Sequence, residues 1–271
     1  MMRVSFQGES GAYSEEAVFG YFGSVDAVPC ESFDAVFESV AEGKSESALI
    51  PIENSLAGSI HQNYDLLLRH NLHIVGEYLL RVRHCLIALP SVDKSEIKKA
   101  ISHPQALGQC ASYLRARGIK PEAVYDTAGS VKMLKASGER DTAAIASRRA
   151  AQIYEMQILE EGIEDNPENY TRFLAIAREA VQPVGETKTS IVFTLKNAPG
   201  ALFKALSVFA LREIDLTKIE SRPLAGSPWE YLFYIDFIGS AHQETGRRAL
   251  DHLGEYATML RVLGSYPKYK G

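Results

Sequence analysis

Residues 72–90 read LHIVGEYLLRVRHCLIALP, a long extended run of apolar residues closed by a proline. An ordinary strand holds about 5–6 residues, so a single strand does not account for this stretch near residues 72–89. A crossing between two lobes does. The apolar strand TRFLAIA (171–177) supplies the crossing back. Two crossings leave a cleft between the lobes, a geometry that supports hinge closure on a ligand.

Outward from this run, short apolar stretches alternate with helical patterns. Val4–Phe6 precedes the helical SEEAVFGYFG, and a second helix signal opens at Ser32 in SFDAVFESVAEG. SALIPI, the helical GSIHQNYDLLLRH, the helical KSEIKKA (94–100) and the helical QALGQCASYLRARG (105–118) follow in order. AVYDTA, GSVKMLKAS, TAAIAS and RRAAQIYEM complete the set. Strands alternating with helices of about 10–15 residues predict α/β units around largely parallel sheets.

Beyond residue 181 the order changes. QPVGETK (182–188) is polar, carries Pro and Gly, has no periodicity and reads as a linker. Residues 189–271 then give strand TSIVFTLK, helix PGALFKALSVFALR, strands LTKIESRP and EYLFYIDFI, helix AHQETGRRALDHLGEY and strand TMLRVLGSYP. That βαββαβ order is a ferredoxin-like arrangement. Gly226-Ser227-Pro228 is expected to make the turn between the middle strands.

The 271 residues suit two domains, each large enough to close a core without disulfide or metal staples. A net charge of −5 lacks the basic footprint of a general nucleic-acid binder. Cys30, Cys85 and Cys110 are odd in number and form no CxxC, which predicts reduced thiols used for packing. The opening MMRVSFQGES has no secretory pattern, and no run approaches the roughly 18 apolar residues of a membrane span. A cytoplasmic protein with no membrane and no nucleic-acid partner is therefore expected.

Several first-domain strands end in small polar residues and pass into helices: Gln7–Ser14, Glu53-Asn54-Ser55, Ser102-His103-Pro104-Gln105, Asp126–Gly129 and Ala146-Ser147. Ligands of open α/β sheets bind outside the carboxyl ends of the strands. Helix N-termini there suit a carboxylate or phosphate, although each residue alone is an ordinary cap. Glu53 at a strand exit is a candidate general acid or base. Gln105 and Gln109 share a helix face with Ser112, and Arg172 beside Thr171 is able to fork onto a carboxylate. QGESGAYS matches neither a phosphate loop nor GxGxxG, and GxSxG and HExxH are absent. No cofactor and no metal are expected.

Six blocks then stand out: FQGESGAYSEEA (6–17), IPIENSLAG (50–58), SHPQALGQC (102–110), NYTRFLAIA (169–177), NAPGALFKAL (197–206) and KIESRP (218–223). In these blocks and in their order the chain resembles prephenate dehydratase with a C-terminal ACT regulatory domain. The resemblance implies a two-lobed, periplasmic-binding-protein-like α/β catalytic domain over 1–181, a linker over 182–188 and an α+β ferredoxin-like ACT domain over 189–271. It implies a carbon–oxygen lyase that converts prephenate to phenylpyruvate, with loss of CO2 and water, in L-phenylalanine biosynthesis. In the family the Thr of TRF serves the leaving group, and that residue is Thr171. By the same carry-over Glu53, Asn54 and Gln109 join the catalytic set, while Ser102, Arg172 and Phe173 bind substrate. Ser14 and Asp126 are added from their strand-end positions.

The same resemblance implies feedback inhibition by L-phenylalanine bound in the ACT domain. The residues carried over are Asn197, Pro199, Gly200, Ala201 and Leu202 from one motif, and Glu220, Ser221, Arg222 and Pro223 from the other. Pairing through these domains implies a homodimer or homotetramer. Two other functions stay open at this point: arogenate dehydratase, and a non-catalytic amino-acid sensor, against which the intact TRF block counts.

Overall fold

The computed structural model describes residues 1–224 and 230–270, so the expected turn at Gly226-Ser227-Pro228 lies outside the described residues. The chain divides into two compact units: Met1–Leu68 with Tyr78–Phe173, and Arg69–Glu77 with Leu174 onward.

The first lobe is built from β1 (Arg3–Gln7), α1 (Tyr13–Phe22), β2 (Asp26–Cys30), α2 (Phe33–Ala41), β3 (Ser47–Asn54), β4 (Gly58–Ser59), α3 (His61–Arg69) and β5 (His73–Arg81), of which Arg69 and His73–Glu77 fall in the second unit. The second lobe holds β6 (Cys85–Ala88), β7 (Lys99–Ser102), α4 (Pro104–Gln109), α5 (Ala111–Ala116), β8 (Lys120–Ala123), α6 (Thr127–Ser137), β9 (Thr142–Ala146), α7 (Arg148–Ile153) and β10 (Gln157–Glu161). β11 (Tyr170–Ala177) then returns to the first sheet, whose order is β2-β1-β3-β11-β5; the second sheet runs β10-β6-β9-β7-β8. The run at 72–90 does cross between sheets. Its two strands are separated by Val82–His84, and Val82 N–H donates to Asn169 O at 2.7 Å on the returning segment.

Continuous apolar strands mark sheets covered on both faces. In the second lobe Leu86, Ala100 and Ile145 pack under α4 and α5, while Ile87, Ile101 and Ala144 pack under α6 and α7. Cys85 and Cys110 belong to these two cores, and burial pushes the Cys85 thiol up to about 12.

Four local readings are corrected. KSEIKKA is not a helix: an Asp93 capping box closes only the 3-10 turn Lys94–Glu96, and β7 takes over at Lys99 so that Ala100 and Ile101 reach the core. QALGQCASYLRARG is two helices broken at Cys110, because the Asp165 carboxylate caps α5 through the Ser112 and Tyr113 N–H groups at 2.9 and 3.3 Å. The strand expected in AVYDTA ends at Ala123, leaving Tyr125 exposed. β2 and β10, which the pattern does not reveal, are edge strands, one with a proline and the other polar, so neither shows an alternating face.

The second unit has the expected βαββαβ order: β12 (Thr187–Leu195), α8 (Ala201–Ala210), β13 (Leu216–Pro223), β14 (Tyr231–Ile238), α9 (Glu244–Tyr256) and β15 (Ala257–Pro267). Its antiparallel sheet runs β13-β14-β12-β15. Ile191, Phe193, Ile235 and Phe237 meet Val208, Phe209, Ala249 and Leu253 of the two helices. β12 starts at Thr187, inside the 182–188 segment, because Lys188 is already paired in the sheet and forms a buried ion pair with Glu77 at 2.8 Å. Arg261 donates to His70 O at 2.8 Å, which further ties residues 69–77 to this unit.

Candidate active site

In the first unit the starts of α1, α6 and β11, the end of β3, the β5–β6 crossing and α4 enclose a cavity of about 180 Å³. Its organising side chain is Asn54. Asn54 Oδ1 accepts from the N–H groups of Leu56 (3.1 Å) and Ala57 (3.0 Å), an Asx turn that fixes which way the amide faces. Its Nδ2 therefore turns to Asn169 Oδ1 at 2.8 Å and Thr171 Oγ1 at 3.0 Å, with Tyr170 O at 3.2 Å. One lone pair of the Thr171 hydroxyl is engaged by this bond, which leaves its own proton to be donated into the cavity.

A second chain of contacts approaches from α1. Tyr13 Oη lies 2.9 Å from Arg83 O and 2.8 Å from His84 Nδ1, and His84 Nε2 lies 2.8 Å from Gln109 Oε1. Tyr13, His84 and Gln109 all line the cavity. His84 is buried, and desolvation pushes its pKa below the usual histidine value, against the opposing pull of Gln109 and the Glu164 carboxylate. Burial likewise pushes the Tyr13 phenol well above the usual range.

Of the residues expected from the sequence, Thr171, Asn54, Gln109, Ser14 and Phe173 come together in this lining. The others lie elsewhere. Glu53 sits in the β3–β4 hairpin opposite Ser59 and is absent from the lining. Arg172 points away because alternate residues of β11, Thr171 and Phe173, take the cavity face. Ser102 is fully buried and its hydroxyl donates to Ile145 O at 2.6 Å, joining neighbouring strands. Asp126 caps α6 through Gly129 N–H and lines a separate cavity of about 450 Å³ with Glu9, Cys30 and Tyr125. Ser112 is parted from Gln105 and Gln109 by the break at Cys110. Tyr13, His84 and Asn169 were not anticipated. Tyr13 and Asn169 lie inside quoted blocks, whereas His84 is marked only by its place at the crossing.

The lining includes no Asp, Glu, Lys or Arg. It offers hydroxyls, amides, imidazoles and the starts of α1 and α6, a set of neutral donors suited to an anion. Among the described residues no cluster of three or more His, Cys, Asp or Glu is placed to hold a metal, and no helix is long and apolar enough to cross a membrane.

A smaller cavity of about 130 Å³ lies in the second unit, beside the start of α8 and β14. Asn197, Ala201 and Leu202 line it, joined by Lys196, Glu230 and Tyr231. Pro199 and Gly200 sit in the turn before α8 but outside the lining. Glu220, Ser221, Arg222 and Pro223 are on β13, paired with Tyr234 to Tyr231 of β14, and do not reach this cavity. The carboxylate there is Glu230 in place of Glu220, which lies 3.7 Å from Lys218.

The family model described as prephenate dehydratase matches residues 4–181. Arogenate dehydratase/prephenate dehydratase 2, chloroplastic, of Arabidopsis thaliana is 53% identical over 277 residues, covering 98% of this chain and 73% of the relative. The crystal structure of prephenate dehydratase in complex with L-Phe from Arthrobacter aurescens has a TM-score of 0.90 at 31% identity, covering 98% of this chain and 90% of that one. GqqA, described as a novel type of quorum quenching acylase, has a TM-score of 0.93 at 33% identity, covering 99% and 98%. The expectation of a cytoplasmic protein is overturned here by the similar Arabidopsis protein, which is named as chloroplastic.

Proposed function

The chain belongs to the prephenate dehydratase family, and on that premise we propose that the Asn54–Thr171 cavity is where prephenate becomes phenylpyruvate. The reaction is a carbon–oxygen lyase step. The ring carboxylate leaves as CO2, its bonding electrons complete the aromatic ring, and the ring hydroxyl departs and gains a proton to become water. The product's aromaticity drives the step, so the residues need only bind the dianion, orient it and help the hydroxyl leave. Donors aimed at an oxygen where charge develops are worth about 3–4 kcal/mol each. The Asn54 Nδ2–Thr171 Oγ1 bond carries the reading, because it turns the threonine proton toward the leaving oxygen. A threonine hydroxyl is a weak acid, so Thr171 donates a hydrogen bond or relays a proton and does not itself ionise. Gln109 and Ser14 orient the substrate and Phe173 packs against its ring.

The uncharged lining favours the keto acid prephenate, since it holds no carboxylate to meet the ammonium of arogenate. The relative named for both activities makes arogenate the second substrate to test. In the second unit, the cavity between α8 and β14 is the proposed L-phenylalanine site of an ACT domain spanning 189–271, in a homodimer or homotetramer. Inhibition is then a coupling free energy between that site and the catalytic cavity.

The test supplies purified protein with prephenate and then arogenate, and follows phenylpyruvate and phenylalanine with and without added L-phenylalanine. Turnover that phenylalanine suppresses supports the reading. No turnover of either acid, with phenylalanine still bound, returns the sensor function.

A further inference from the structure

The geometry points to His84 as a positioning residue that sets which end of the Gln109 amide faces the substrate. This inference rests on the reading above, in which Gln109 meets an anion. His84 is almost completely buried. Its backbone is held on both sides, the N–H by Glu164 Oε2 at 2.9 Å and the carbonyl by the N–H groups of Gly162 and Ile163 at 2.9 and 3.2 Å. The backbone is thereby fixed, and burial together with the bonds to Tyr13 Oη on one nitrogen and Gln109 on the other holds the imidazole between these two partners.

Two proton arrangements satisfy this chain. In one, Tyr13 donates to His84 Nδ1 and His84 Nε2–H donates to Gln109 Oε1, so that the Gln109 NH2 group is presented to the cavity. In the other, Tyr13 donates to Arg83 O, His84 Nδ1–H donates to Tyr13, and a flipped Gln109 donates to His84 Nε2, leaving its carbonyl oxygen toward the cavity. A neutral imidazole has one N–H and must take one of the two. Only the first offers donors to a dianion, and the second sets an acceptor against it. The structure has Gln109 Oε1 against His84 Nε2, which is the first arrangement, so the Nε2–H tautomer holds the Gln109 amide with its NH2 group toward the cavity before substrate arrives. The Tyr13 hydroxyl adjusts to either arrangement because Arg83 O stands ready as its alternative acceptor at 2.9 Å.

The test is a double-substitution cycle in the full chain with prephenate as substrate. Wild type and Gln109→Ala come first: no wild-type turnover, or full activity in Gln109→Ala, sinks the underlying reading and with it the role assigned to His84. With Gln109→Ala impaired, His84→Leu is expected to lower kcat/KM about 100-fold, the loss typical of a misplaced substrate contact. His84→Gln, whose longer amide still reaches Gln109, is expected to recover activity to within about 10-fold of wild type. In the Gln109→Ala background His84→Leu is expected to add less than about 3-fold, because its effect runs through Gln109. Folding is monitored by melting temperature, and His84→Gln keeps the test open if His84→Leu fails to fold. Losses that multiply in the double variant, or no rescue by glutamine in a folded protein, overturn the inference.

Discussion

Asn54 shows how much one side chain organises here, since its carbonyl holds a turn and its NH2 group holds the Thr171 hydroxyl in the cavity lining. Thr171→Ala removes that hydroxyl while leaving the turn intact. It is expected to lower kcat at least about 100-fold with an unchanged melting temperature; near-normal turnover would remove Thr171 from the mechanism. Asn54→Ala, by contrast, strands the buried Asn169 Oδ1 and undoes the turn at the exposed Leu56 and Ala57. Unsatisfied buried groups cost about 1–3 kcal/mol each, so this variant should lose both activity and melting temperature. His84 sets a pH dependence of stability. Its folded pKa is depressed by burial, so between the unfolded value near 6.5 and the lower folded value the unfolded chain holds the extra proton. Stability contributed above pH about 6.5 is lost as pH falls through that window, in the presence of Tyr13, Gln109 and Glu164. Melting curves from pH 7 to pH 5 should fall more steeply for wild type than for His84→Gln. Residues in motifs were legible in proportion to how directly a strand aims them: Thr171 and Phe173 face the cavity and Arg172 between them cannot, a distinction that a motif alone does not make.

Elements were legible where their burial is one-sided or complete. SALIPI, TAAIAS and the six segments of the second unit declare themselves because apolar residues recur with the period of the structure they form. Edge strands such as β2 and β10 escape because half their surface is wet, and KSEIKKA misleads because its helix-forming lysines lead into a strand, from Lys99, whose buried Ala100 and Ile101 decide the outcome. Glycines carry element-level constraints that composition does not reveal. Gly200 precedes α8 with φ of +76° and nothing within 4 Å of a built Cβ, so a substitution there is resisted by the backbone and not by a neighbour. Gly200→Val costs about 1–2 kcal/mol of left-handed strain and should re-aim the turn bearing Asn197, moving half-inhibition by phenylalanine to higher concentration. An unchanged inhibition curve would detach this turn from the regulatory site. Gly264 is the opposite case, because a Cβ there would run into the backbone carbonyl of Ile74. Gly264→Ala should lower the melting temperature by the equivalent of about 1–3 kcal/mol.

At the scale of the whole molecule, the division of the chain is not the division of the sequence. Residues 69–77 precede the second lobe by position yet belong to the second unit, and no periodicity announces that, because it depends on a partner more than a hundred residues away. The partner is chemical. Lys188 meets both oxygens of Glu77 at 2.8 and 2.9 Å, the two side chains are 11% and 3% exposed, and Tyr269 N–H donates to Glu77 at 3.2 Å. Breaking such a pair leaves an uncompensated buried charge, at a cost of about 3–5 kcal/mol, whereas replacing both partners by apolar groups is often neutral. Lys188→Met alone should therefore lower the melting temperature markedly, and Glu77→Leu together with Lys188→Met should restore most of the loss. A double variant as unstable as the single one would mean that Glu77 is held mainly by its other bonds. A silent Lys188→Met would mean that the apolar faces of β12 and β15 alone keep residues 69–77 in place.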